Sequence, residues 1–544
     1  MIIVLVLLYF FDLYIIRFNC AAKLLTFFYI TKTFLQKFAT DLQSGAAARH
    51  ITNSFTNFAL HYYTHLRRTH RTTVEAIVQA VSRILTDYVM VTALLAAALY
   101  FTVATRGVQF RMVGEMFRQL VRSGRRASVH RGGDNIHSSV SSFQAFAISI
   151  ASRVGTGNLA GVATAIALGG PGAVFWMWVI ALLGSSSAFI ESTLAQLYKV
   201  RGEGSFRGGP AYYIAKGIGS RWWAVTFAVL IILTFGFAFN TVQSNTIASA
   251  FEECFDVPRQ WIGILLTVLT MAIVFGGIRS ISRFSELVVP VMAVAYVALA
   301  IVIIVINIGR IPEILRMIVE NAFGFHQAAG ATVGMALALG IKRGLFSNEA
   351  GEGSTPNAAA TAAVSHPVKQ GLIQTLGVYT DTLLICSATA FIILCSGLFV
   401  DGHDGIVLTQ KAIDSQLGGG HRFGSVFVSI AILFFAFTSI IANYYYGETN
   451  LRFIRDNALL IRAYRLSVGA MVYLGAVMSL DLVWGFADTT MALMTLCNLA
   501  AITLLGRQAI TLLRDYCSQL RQGRDPVYHS STIPEIADRT ECWP

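Results

Sequence analysis

Charge is scarce in this sequence. Only 13% of its 544 residues are Asp, Glu, Lys or Arg, while 55% are hydrophobic and the mean hydropathy is +0.62. A water-soluble globular domain carries roughly 25% charge. The chain therefore has more apolar surface than one soluble core can bury. Its seven cysteines, Cys20, Cys254, Cys386, Cys395, Cys497, Cys517 and Cys542, show no Cys-x-x-Cys or Cys/His ligand spacing, which argues against a metal centre or a disulfide framework. No activated nucleophile or phosphate-binding loop is evident, so covalent catalysis is not expected and the chain does not read as an enzyme. The net charge of +12 is not gathered into a basic patch interleaved with aromatics, which excludes nucleic acid as a partner.

What is present is a series of apolar runs near the ~20 residues that cross a bilayer as a helix. A leading run, Tyr88–Ala104, precedes ten core runs: Ser142–Leu168, Ala173–Leu197, Trp223–Ala250, Trp261–Phe275, Leu287–Ile308, Gly330–Leu345, Gly371–Ser396, Gly424–Tyr446, Leu466–Leu480 and Leu482–Leu505. The expected fold is an all-α polytopic membrane protein of about eleven transmembrane helices. Basic residues favour every second connection. They follow the leading helix (Arg106 to Arg131), the second core run (Lys199 to Arg221), the fourth (Arg279, Arg283), the sixth (Lys369), the eighth (Arg452 to Arg465) and the tenth (Arg507 to Arg524). The intervening loops are short, acidic or neutral. Positive charge stays inside, so the C-terminus is expected in the cytoplasm.

The first 73 residues fit this pattern badly. Met1–Ile16 is apolar apart from Asp12, yet eight basic residues from Arg17 to Arg71 follow it, and a basic leading region of a signal peptide is missing. No methionine lies between Met1 and Met90. The expected organisation is a non-native or targeting extension at 1–73, the leading helix and a basic segment at 74–138, two sets of five helices at 139–308 and 309–506, and a cytoplasmic tail at 507–544. The natural start is expected near Val74. The tail is short and polar without a recognisable domain, which counts against a non-transporting sensor.

Two spans contain residues that break helices. Core run one holds Arg153-Val154-Gly155-Thr156-Gly157-Asn158, where two glycines and an asparagine oppose helical winding. A break in a membrane frees backbone groups that lipid cannot satisfy, so they must meet a ligand, an ion or protein. The alternative is close packing through the small-xxx-small pair Gly157 and Gly161. Core run six leads into Gly344-Leu345-Phe346-Ser347-Asn348-Glu349-Ala350-Gly351-Glu352-Gly353-Ser354, which reads as a second break or as an ordinary loop. Breaks at matching positions of two halves point to a transport site. In core run eight, Thr438 and Ser439 are adjacent hydroxyls. They suit a monovalent cation, or each bonds to a carbonyl one turn back. Among the intramembrane acids Glu191, Asp381 and Asp488, the first two read either as a proton relay, which would make a proton-coupled symporter, or as structural partners of helix ends.

In this order, the stretches VGTGNLAGVATAIALGGPG (Val154–Gly172), RGGPAYY (Arg207–Tyr213), LFSNEAGEGSTPN (Leu345–Asn357), FFAFT (Phe434–Thr438) with Tyr446-Gly447-Glu448, and SLDLVW (Ser479–Trp484) resemble the alanine or glycine:cation symporter family over about residues 74–505. The resemblance implies a leucine-transporter-type fold: a leading helix, then a five-plus-five inverted repeat with broken first and sixth core helices. It implies sodium-coupled uptake of small neutral amino acids, alanine or glycine, at the bacterial plasma (inner) membrane, with no obligate protein partner beyond the lipid bilayer. The implied Na+ ligands are the carbonyls of Ala151, Val154 and Phe435 and the hydroxyls of Thr438 and Ser439. The implied substrate pocket holds Thr156, Gly157, Asn158, Asn240, Gln243, Phe346, Ser347 and Asn443. Glu191, Glu349 and Asp381 are expected as gating or structural charges. Two residues depart from the family pattern. Arg153 stands where many members have Ser or Thr, and is expected to point away from the ion and pair with an acid such as Glu191 or Glu349. Asn443 stands where many have Trp, which alters the pocket volume.

Overall fold

The computed structural model describes residues 82–129, 140–202, 205–275, 277–324, 333–417 and 422–543. The expected extension at 1–73 lies outside them, as do Arg131 and Asp134 of the basic segment. The chain divides into a unit ending at Leu85 and one from Thr86 to Pro544. Apart from its first residues, all that is described belongs to the second.

Among the described residues the architecture is helical, with one two-stranded hairpin pairing Val200–Arg201 with Phe206–Arg207. Among the described residues, eight helices are long and apolar enough to cross a membrane. They are α1 (Ile84–Ala104), α5 (Gly172–Leu197), α6 (Arg221–Phe255), the Ser285–Ile306 stretch of α8 (Gly277–Ile306), α11 (Pro367–Ser396), α13 (Phe423–Ile454), α14 (Ala458–Val477) and α15 (Leu480–Arg521). Core runs one, four and six are absent from the eight for a physical reason. Run one is split into α3 (Ser142–Arg153) and α4 (Gly157–Gly169), run four is the shorter α7 (Arg259–Val274), and run six is α10 (Val333–Asn348), ended by its break.

Three further helices of twelve or more residues were not foreseen as separate elements. They are α2 (Val113–Val129), α9 (Ile311–Ala322) and α12 (Gly405–Gln416), all placed between the long apolar helices. The last helix also exceeds its expected end. At 42 residues it is about 63 Å long, roughly twice the ~30 Å hydrocarbon layer.

Burial sorts the spans into centre and rim. In the apolar windows of α11 and α13, 72% of the residues are buried, against 22% in that of α8. On α8, Leu287, Val291 and Val294 are each more than half exposed, as suits a face toward lipid chains. The centre is polar for a protein of this composition. Thr156, Asn158, Glu191, Asn240, Ser347, Asp381, Thr438, Ser439 and Asn443 are all fully buried.

Candidate functional site

The site is built around the interruption between α3 and α4. The entry to α3 is fixed by a capping box, in which the Ser141 hydroxyl accepts from the Gln144 amide while the Gln144 side chain accepts from the Ser141 amide. The helix ends at Arg153, and Val154 is extended at φ −81°, ψ 92°. Winding resumes with the wider π form over Gly157–Gly161. Four more π stretches occur among the described residues, and two of them, Ile232–Ala238 in α6 and Tyr379–Cys386 in α11, lie close to the break. Such bulges are rare and favour functional sites. Gln243 of α6 and Asp381 of α11, which follow or lie within them, both bond to the α3–α4 break.

Freed backbone groups at this break find specific partners. The Gly155 amide donates to Asn158 Oδ1 at 2.9 Å, and the Thr156 amide donates to Gln243 Oε1 at 2.9 Å. The carbonyls turn toward α13. Ser439 Oγ lies 2.8 Å from the Ala151 carbonyl, 3.4 Å from that of Val154 and 3.1 Å from that of Phe435, while Thr438 Oγ1 lies 2.8 Å from the Phe435 carbonyl. The structure thus gathers the five residues of the expected ion site into one buried group of oxygens. Gly155 is required there, because a Cβ would collide with Ser439 Oγ and stand 2.7 Å from Gln243 Oε1.

Asp381 ties the two breaks together. It accepts from Asn158 Nδ2 at 2.7 Å, from Ser347 Oγ at 2.7 Å and from Thr382 Oγ1 at 2.9 Å. Gly157 lets the breaks approach, since a Cβ there would stand 3.0 Å from Ser347 Cα and 3.1 Å from Phe346 Cδ1. The Phe346 ring is sandwiched between Phe239, 4.3 Å away, and Trp484, 4.7 Å away. One turn earlier in α10, Arg343 makes a two-pronged ion pair with Asp488, both contacts 3.0 Å, and stacks 3.8 Å over Trp484. Arg343 and Trp484 were not among the expected site residues. Their partners are more than a hundred residues away, so nothing in the local sequence paired them.

Other expected residues are engaged by neighbouring groups. Asn443 is beside Ser152, with Oδ1 2.8 Å from its hydroxyl, and Ser152 Oγ in turn lies 2.6 Å from Glu349 Oε1. Asn240 donates to the Gly236 carbonyl one turn back, and its buried Oδ1 has no hydrogen-bond partner among the described residues. The expected Arg153 ion pair does not form. Its guanidinium reaches the Gln374 carbonyl at 3.2 Å and Thr355 Oγ1 at 3.2 Å, and Gly377 leaves the space it fills. A hydrogen-bonded seat between helices serves it in place of a carboxylate.

The second break also differs in place from its expected start at Gly344. α10 stays helical to Asn348, whose side chain accepts from the Ala350 amide at 3.0 Å. The turn then follows at Glu349 (φ 55°), Gly351 (φ 89°) and Gly353 (φ 88°). Glu191 clasps that turn, accepting from the Gly351 amide at 3.1 Å, the Gly353 amide at 3.0 Å and Asn498 Nδ2 at 2.8 Å. Tyr213 donates to the same asparagine. Glu191 thus contacts the turn through backbone amides, as a structural partner of a helix end would.

The sodium:alanine symporter family matches residues 71–530. The probable sodium/glutamine symporter GlnT of Bacillus subtilis (strain 168) is 49% identical over 87% of this chain and 96% of its own length. The amino-acid carrier protein AlsT of the same organism is 49% identical over 83% and 94%. A sodium/proton-dependent alanine carrier protein of Bacillus sp. (strain PS3) is 38% identical over 73% and 93%. A match over most of the chain, together with its apolar helices, makes this a multi-pass membrane transporter and not an enzyme, and the chain belongs to the sodium:alanine symporter family.

Proposed function

We propose that the protein is a sodium-coupled symporter that brings small neutral amino acids, alanine and glycine foremost, across the bacterial plasma membrane by alternating access. The observation that carries this reading is the convergence of the Thr438 and Ser439 hydroxyls of α13 on the carbonyls of Ala151, Val154 and Phe435. All the donor atoms are oxygens, the ligands that hard cations select. None carries a formal charge, which suits a monovalent ion. Sodium bound there would replace the Ser439 hydroxyl proton as the partner of these carbonyls and pin the α3–α4 break against α13.

The amino acid lies beside the same break. Its carboxylate takes over the amides of Gly155 and Thr156 from Asn158 and Gln243, because a helix N-terminus favours a negative group. Phe346 and Ser347 of the second break complete the pocket. The close approach of Gly157 to both leaves room for a small side chain. The Arg343–Asp488 pair stacked on Trp484 closes the side that charge alternation assigns to the outside. On this reading the C-terminus is cytoplasmic, and the helices form the inverted five-plus-five arrangement.

The relatives' names include both glutamine and alanine, so the substrate is the first quantity to measure. Purified protein in proteoliposomes is given labelled alanine, glycine or glutamine, with sodium and pH gradients imposed separately. Accumulation of alanine driven by sodium, with glutamine a weaker competitor, is expected. Preference for glutamine would overturn the small-substrate assignment, and accumulation driven by a pH gradient in the complete absence of sodium would overturn sodium coupling.

A further inference from the structure

Four buried carboxylates surround the turn after α10, and three of them are well supplied with donors. Glu191 accepts three hydrogen bonds and Asp381 three. Glu349 lies 2.6 Å from the hydroxyls of both Ser152 and Ser354. Glu352 is the exception. It is fully buried, and neither of its carboxylate oxygens has a hydrogen-bond partner among the described residues.

The charged groups that face Glu352 are Glu349 on its own turn, Glu191 from α5 and Arg153 from α3. Two are acids. The single cation is shared, because Arg153 also acts on Glu191, Glu349 and Asp381. An ionised carboxylate in a membrane interior, with no donor and with like charge beside it, is untenable: such a group is paired, coordinated or neutralised. Among the described residues no lysine or arginine bonds to it, and no group of three or more His, Cys, Asp or Glu could hold a metal there. A proton is the cation that neutralises a carboxylate without further ligands.

The turn also denies Glu352 a route to solvent in this conformation. It stands between Gly351 and Gly353, whose amides are both held by Glu191 and whose left-handed φ values fix the backbone on either side. Release of that clasp, as the second break moves, is what would expose the carboxyl.

We propose that Glu352 is a proton-binding site of the transport cycle. Its carboxylate takes a proton when the turn closes, forming a neutral carboxyl, and returns it to water when the turn opens, so that one proton accompanies each passage of the sodium-driven cycle. This adds to the sodium reading and rests on it only for the direction of movement. It also differs from the relay through Glu191 and Asp381, both of which are engaged by donors.

The test uses the full-length protein in proteoliposomes containing a pH-sensitive dye, with labelled alanine. With sodium equal on both sides, an inwardly directed proton gradient should drive accumulation by the unmodified protein, and sodium-driven uptake should carry protons inward. Glu352→Gln should keep sodium-driven uptake while its proton signal falls to that of empty liposomes. A proton signal undiminished in Glu352→Gln, or none in the unmodified protein, would overturn the proposal. Should neither Glu352→Gln nor Glu352→Leu be recovered folded, dicyclohexylcarbodiimide, which attacks protonated carboxyls in apolar surroundings, decides on the unmodified protein. Peptide mapping should find label on Glu352 that fades as the pH is raised, and absence of label at every pH contradicts the site. If sodium fails to drive uptake of any amino acid, the sodium reading falls while labelling still settles Glu352.

Discussion

A single oxygen, Ser439 Oγ, touches three of the carbonyls assigned to the ion. Ser439→Ala removes that ligand and leaves the backbone untouched. A hydrogen bond or ligand to a charged group is worth about 1.5–3 kcal/mol, which corresponds to roughly a ten- to hundredfold loss of apparent sodium affinity. Sodium titration of alanine uptake measures it, and an unchanged half-saturation would remove Ser439 from the site. Gly155→Ala should be harsher, since its methyl would strike that same oxygen; uptake should vanish while the protein still elutes as a folded monodisperse species. At this scale the sequence was informative wherever the signal was local. Two glycines and an asparagine in an apolar run, and two adjacent hydroxyls, announce themselves through backbone propensity and polarity alone. Arg153 was legible as an anomaly but not in its resolution. Its seat is formed by Thr355, Gln374 and Gly377, about two hundred residues away, and an ion pair was the reasonable but mistaken expectation.

Among the elements, the turn after α10 is held from outside itself. Glu191→Ala would leave the amides of Gly351 and Gly353 without their acceptor and take from Asn498 Nδ2 one of its two acceptors, the other being the Gly351 carbonyl. A buried polar group left unpaired costs about 1–3 kcal/mol. Thermal unfolding in detergent should show a clear loss of stability for Glu191→Ala and a smaller one for Glu191→Gln, which keeps one acceptor oxygen. Equal unfolding temperatures for Glu191→Ala and the unmodified protein would mean that the clasp is not structural. Gly353→Ala should be as damaging, since φ +88° strains any side chain and a Cβ would stand 2.8 Å from Asn498 Cγ. Hydropathy located this element but began the break too early. Composition marks Gly344–Ser354 as one polar, glycine-rich stretch, whereas the helix runs on to Asn348 because Phe346 and Ser347 have packing and hydrogen-bond partners on other helices. The π stretches in α6 and α11 left no pattern in the sequence, because an extra residue in one turn does not disturb an otherwise apolar run.

Across the whole molecule, the C-terminal segment links parts of the fold that a short polar tail was not expected to touch. Lys369 pairs with Asp525 at 2.6 Å, Lys216 with Glu541 at 2.6 Å, and the Tyr528 amide donates to the Ser365 carbonyl at 2.9 Å. Trp543 donates to the Gln196 carbonyl at 3.1 Å and packs under Lys199. The ends of α5 and α11 are thereby strapped to α15. Removal of residues 524–544 should leave a folded transporter with a lower unfolding temperature, checked by the same thermal assay; an unchanged temperature would make the strap incidental.

His366 makes this strap sensitive to acid. Its Nδ1 accepts from the Val368 amide at 3.2 Å, which requires that nitrogen to be unprotonated, and Nε2 faces Asp515 at 3.2 Å. Burial pushes its pKa below the usual imidazole value, against the pull of Asp515. The unfolded chain therefore binds the proton first as pH falls through about 6.5, and stability present above that pH is lost below it. His366→Asn, which retains a capping oxygen, should flatten the acid side of the stability profile, and an identical profile would contradict the assignment. None of this was visible in the tail's composition, because its partners come from three distant segments.

Sodium coupling stands at the centre of the account, and paired flux measures it most directly. Radioactive sodium and labelled alanine are followed together into proteoliposomes at fixed pH. The two should enter in a constant ratio, each should depend on the other, and Ser439→Ala should depress both at low sodium. Alanine accumulation that proceeds at full rate without sodium would contradict the account.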